Sequence, residues 1–118
     1  MLVVVSAFAL AVLSGPVGQD APAPPEPLQC TAGPVGRSFG GSNWLVYGCS
    51  DGETAVVVSA PGNPAMPFVF TLSGREAGVQ VSGEGNGAPA VTARAFEDLK
   101  KLSRQDLDAI IQEAKAHL

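Results

Sequence analysis

Four short runs with a strand-like pattern, joined by connections too short to hold a crossover helix, constrain this chain more than any other feature. Residues 43–49 alternate, with Trp44 and Val46 on one side and Leu45, Tyr47 and Cys49 on the other. Residues 54–60 form a β-branched run that is apolar on both faces, which predicts a central strand. In residues 68–72, Phe68, Phe70 and Leu72 share a face, and in residues 79–82, Val79 and Val81 oppose Gln80 and Ser82. The connections carry Asp51-Gly52, the prolines Pro61, Pro64 and Pro67, and Gly74 with Gly78, all of which turn a chain or interrupt a ladder. Parallel pairing needs a crossover of a dozen or more residues, so the predicted sheet is an antiparallel meander. Ahead of it, Gly33-Pro34, Gly36 and Gly40-Gly41 mark turns, leaving room for a short strand around residues 28–31.

The period changes after the glycine-rich stretch of residues 82–89. From residue 93 onward, Phe96, Leu99 and Leu102 fall on one helical side. Leu107, Ile110, Ile111, Ala114 and Leu118 form the stripe of a second helix, which Ser103 caps with Asp106 at the capping-box position. The fold class predicted is therefore α+β: a four-stranded antiparallel meander with two C-terminal helices packed on one face and one disulfide.

Residues 2–13 are almost wholly apolar and end at Ser14-Gly15-Pro16. That is the length of a secretion-signal apolar region and well short of the roughly 20 residues that span a bilayer. The predicted organisation is a signal peptide over residues 1–18, a Pro-rich leader over residues 19–27, and a single small α+β domain over residues 28–118. The mature form would carry no stable membrane span, and its location would be periplasmic or secreted. The two cysteines, Cys30 and Cys49, then read as a structural bridge in an oxidising compartment.

A formal charge of −4, with no basic cluster longer than Lys100-Lys101, makes nucleic acid and anionic lipid poor partners. His117 is the lone histidine and sits next to the end of the sequence, so histidine acid–base chemistry is not expected. Asp51, Glu53, Glu76 and Glu84 fall in predicted turns and read as solvated carboxylates. A small carboxylate-dependent hydrolase would require Glu53, Glu76 or Glu84 to converge in one pocket with a raised pKa. No group of residues has metal-ligand spacing, and no cofactor is expected. Gly83-Glu84-Gly85-Asn86-Gly87 lacks the lysine of a phosphate loop, and Glu84 would repel a phosphate, so it reads as a turn or hinge.

The expected function is that of a non-enzymatic binding or interaction module with a protein partner in the cell envelope. Two loops are the candidate contact surfaces: residues 61–67, with Asn63 and Met66, and residues 82–87, with Ser82 and Gly83. Tyr47-Gly48-Cys49-Ser50-Asp51-Gly52, the valine run after it, and Ser82-Gly83 together resemble the small periplasmic inhibitors of C-type lysozyme. The resemblance spans about a third of the mature chain and implies an inhibitory loop at Ser82-Gly83. The chain departs from that family's pattern in lacking a tyrosine soon after Ser82-Gly83 and a later Trp-x-Lys-Gly segment.

Overall fold

The computed structural model describes residues 27–76 and 78–117. The expected signal peptide, and the leader apart from Pro27, lie outside the described residues.

Five strands form one antiparallel sheet in the order β1-β2-β3-β4-β5: β1 Ala32–Phe39, β2 Ser42–Gly48, β3 Thr54–Ser59, β4 Phe68–Arg75 and β5 Gly78–Gly85. The meander is as predicted, but it has five strands and not four. The extra strand is β1, formed where Gly33-Pro34 and Gly36 were read as turns, while residues 28–31 are not a strand. An edge position explains the difference. An edge strand tolerates a proline because it is paired on one side alone, and a register shift between Ala32 and Val35 absorbs the Gly-Pro pair. Beyond that shift, Val35 pairs with Val46, Arg37 with Trp44 and Phe39 with Ser42, so the alternation exists but is sparse. Gly40 and Gly41 close the β1–β2 hairpin with φ of 60° and 79°, values that suit a two-residue mirror-image turn and oppose side chains.

β3 is the middle strand, as its two apolar faces predict. Trp44 and Val46 point inward, together with Ala55, Val57, Phe70 and Leu72, and all of them are buried. Two helices, α1 Pro89–Lys100 and α2 Arg104–Lys115, cover this face. α1 contributes Ala95 and Leu99, and α2 contributes Leu107, Ile110 and Ile111 to the same core. α1 begins four residues before the predicted start because Pro89 occupies the first turn, where its missing N–H costs nothing. α2 starts where expected. Ser103 accepts from the Asp106 N–H, and the Asp106 carboxylate accepts in return from the Ser103 N–H, completing the capping box.

Cys30 and Cys49 are joined by a disulfide. It fixes the segment before β1 to the end of β2, where the Ser50 N–H also donates to the Gln29 carbonyl at 2.7 Å. No helix among the described residues is long and apolar enough to cross a membrane.

The Gly83-to-Gly87 stretch is part strand, and only Asn86 and Gly87 lie beyond it in a bend. β5 runs through it to Gly85, and its alternate glycines are where other parts of the molecule come closest. A Cβ on Gly83 would lie 2.8 Å from ring atoms of Phe68 and Phe70. One on Gly85 would lie 2.5 Å from the Pro67 carbonyl oxygen, and one on Gly87 would lie 1.5 Å from that of Ala65. Gly87→Ala must therefore push backbone apart, and we expect a loss of about 2 kcal/mol. Gly36→Ala, whose Cβ would meet nothing within 4 Å, should change stability little. Urea midpoints of the two variants check this, and equal midpoints would contradict it.

Candidate functional site

Because both helices lie on one side, the other face of the sheet is bare among the described residues. Leu45, Tyr47, Val56, Val58 and Val69 are half-buried on that face, and register brings them together. Leu45 pairs with Val58, Val58 with Val69, and Tyr47 with Val56. Thr71 and Ser82 form the next pair outward, and Val69 lies opposite Glu84.

At the loop end of this face a groove of about 720 Å³ is lined by Val58, Met66, Pro67, Val69, Glu84 and Asn86, among others. Met66 is 53% exposed, and among the described residues only Leu28 is a comparably exposed large apolar side chain. It is held there by the loop that carries it. The Asn63 side chain donates to the Asn43 carbonyl at 2.6 Å and accepts from the Ala65 N–H at 2.8 Å, while its carbonyl accepts from the Met66 N–H at 2.9 Å. From the other side, the Asn86 and Ala88 N–H groups donate to the Pro67 and Pro64 carbonyls. The loop is thus a rigid platform, and its apolar tip stays in water because its polar residue is turned inward.

The four expected contact residues therefore occupy different settings. Met66 lines the groove. Asn63 is buried and serves as the loop's internal peg. Ser82 and Gly83 lie within β5 and not in a loop: Ser82 stands on the bare face opposite Thr71, and Gly83 is the seat for the Phe68 and Phe70 rings. Sequence reading singled out Met66 but passed over Leu45, Val56, Val58 and Val69. Their outward alternation was visible, yet nothing local says which sheet face the helices leave bare.

Asp51, Glu53 and Glu76 lie in turns as expected, whereas Glu84 stands within β5, where pairing with Val69 draws the glycine-rich stretch into the ladder. Asp51 Oδ1 accepts from the Glu53 and Thr54 N–H groups, both at 2.9 Å, and Oδ2 accepts from the Thr54 hydroxyl at 2.6 Å, which ties the β2–β3 turn. Burial pushes the Asp51 pKa upward, but the Thr54 hydroxyl and the backbone N–H groups together outweigh it, and the carboxyl ends below its ordinary value. A depressed folded pKa contributes stability that is present above the unfolded value and lost as pH falls through the folded one. We expect Asp51→Asn to lower the urea midpoint at pH 6, and the gap from the native protein to narrow as pH drops below about 4. A gap that stays constant from pH 6 to pH 2 would contradict it.

Glu53 pairs with Arg104 at 3.4 Å, and Arg104 bonds Asp108 at 3.2 Å. The hydrogen bond to Asp108, more than the pairing with Glu53, holds the Arg104 pKa above its ordinary value. Glu76 lies in the β4–β5 turn near this end of the sheet, whereas Glu84 stands beside Val69 at the other end, on the order of 20 Å along the strand. Among the described residues no group of three or more His, Cys, Asp or Glu is placed to hold a metal ion.

Fold and surface together define a small α+β domain with a disulfide-pinned start, one helix-covered sheet face, and one bare apolar face that ends in a groove. Comparison with known protein families, curated proteins and solved structures finds no match for this chain.

Proposed function

We propose that this is an exported binding domain, periplasmic or secreted and non-enzymatic, which takes a protein partner in the cell envelope on the bare sheet face and its groove. The observation that carries the reading is Met66, held half in water by a loop whose polar side chain faces inward, next to Val58 and Val69. Exposed apolar surface rimmed by polar residues is retained where something binds, since otherwise it is a liability for aggregation. The separation of Glu84 from Glu53 and Glu76 favours binding over carboxylate catalysis. Delivery outside the reducing cytosol is supported by the disulfide together with the apolar run of residues 2–13.

The experiment is crosslinking capture from envelope extract with the oxidised protein, run beside Val69→Lys and Met66→Glu. A partner held by the native surface and lost with both variants supports the reading. A partner held equally by all three places the contact elsewhere, and finding the native chain in the cytosol with both thiols free to alkylation overturns the export half.

A further inference from the structure

The two edges of the sheet differ in how they are protected, and only one is blunted. β1 carries Pro34 and a register irregularity, both of which hinder a sixth strand. β5 has neither. All eight of its residues from Gly78 to Gly85 pair with β4 in unbroken register, it contains no proline or lysine, and most of it is exposed. The Asn86 N–H to Pro67 carbonyl bond continues this ladder past Gly85. By the alternation of antiparallel pairing, the N–H and C=O groups of Val79, Val81 and Gly83 then point away from β4.

We propose that β5 is a pairing edge for a second copy of this chain, forming an antiparallel β5–β5 ladder about a twofold axis at Val81. In that register Val81 faces the partner's Val81, Val79 faces Gly83, Gln80 faces Ser82 and Gly78 faces Glu84. Each residue stays on its own sheet face, and the outward-pointing backbone groups are the ones that meet. An extended strand of another protein would satisfy the same backbone groups. What selects a copy is charge. Arg75 pairs with Gly78 across β4–β5, so the partner's Glu84, Gly78 and Arg75 fall in one row on the bare face. Two strand spacings, about 10 Å, separate the backbones that carry Arg75 and the partner's Glu84. Gly78 between them has no side chain to intervene, and a Cβ there would meet nothing within 4 Å. Neither Arg75 nor Glu84 is in an ion pair among the described residues, and Arg75 is held along the sheet by an Nε bond to Gln80 at 3.0 Å. Twofold symmetry makes the pair twice, and shifting the axis by one residue to Gln80 would instead set Glu84 against the partner's Glu76.

The test is light scattering on the oxidised chain from micromolar to millimolar concentration, with Arg75→Glu, Glu84→Arg and the double exchange. A concentration-dependent dimer is expected. Each single reversal should weaken it about tenfold, because two pairs turn repulsive at once, and the double exchange should restore it. Hydrogen exchange should slow at Val79, Val81 and Gly83 with rising concentration. A monomer at every concentration, or a dimer indifferent to the reversals, overturns the proposal. Glu84 also lines the groove, so two variants at other positions keep the surfaces apart: Arg75→Glu weakens the dimer and leaves the groove lining unchanged, whereas Met66→Glu alters the groove and leaves the dimer at its native strength.

Discussion

Replacing Trp44 by alanine is expected to lower the stability of this domain by about 4 kcal/mol, more than any other single truncation in the core. Trp44 has no exposed surface, its ring centre lies 5.3 Å from that of Phe70, and it sits between the hairpin turn and the helices. Its indole N–H donates to the Ser42 hydroxyl at 2.9 Å and to the Phe39 carbonyl at 3.3 Å. Alanine removes the packing and both bonds, and the surrounding strands cannot close over a void of that size because they are tied by their ladders. Stabilities of small domains lie near 5 to 15 kcal/mol, so this variant stands at the edge of unfolding at 37 °C. Trp44→Phe separates the two contributions: it keeps most of the volume and should cost about 1.5 kcal/mol through the lost donor. Thermal and urea denaturation measure both. A Trp44→Ala loss under 1 kcal/mol would mean that the core is not organised around this residue.

The second large effect is loss of the disulfide. With a sequence separation of 19 between Cys30 and Cys49, the chain-entropy argument assigns the bridge about 3 kcal/mol. Its consequence is local before it is global. Cutting it frees the segment that two hydrogen bonds would have to hold alone, Ser50 N–H to the Gln29 carbonyl and Gln29 N–H to the Ser50 hydroxyl, while the ladders of β1 to β5 are untouched. We expect Cys30→Ser with Cys49→Ser to keep the native far-ultraviolet circular dichroism, to lose 10 to 20 °C in Tm, and to be cut by protease first ahead of Ala32. An unchanged Tm in reducing buffer would remove the bridge from the stabilising terms.

Alternation and spacing make most of this architecture legible in the sequence. The grouping of Trp44 with Val46 and of Phe70 with Leu72 on shared faces, the central place of β3 and the capped start of α2 were readable because each depends on a local pattern: a period of two, apolar residues on both faces, or a hydroxyl three residues from an acid. β1 was not readable. Its glycines and Pro34 carry no local preference for a strand, and only pairing with β2, Val35 against Val46, makes it one. The glycines from Gly83 to Gly87 looked like a flexible hinge for a related reason. Sequence shows that side chains are absent there, but not that the Phe68 and Phe70 rings and the Ala65 carbonyl fill the space.

The candidate surface divides in the same way. Met66, in a loop stiffened by three prolines, stands out in the sequence as a candidate contact, and the fold leaves it exposed. Whether Asn63 faced water or the interior depended on the Asn43 carbonyl, twenty residues away in sequence, lying within reach of its amide. Which apolar face would be bare rested on where α1 and α2 dock, and both sheet faces carry valines suited to burial. Residue order therefore determined β2 to β5, the two helices, the antiparallel succession and the cysteine pair, since these follow from neighbours along the chain and from short connections. The fifth strand, the inward turn of Asn63, the glycine seats and the open face with its groove were decided only by tertiary packing, because each depends on what a distant segment brings against it.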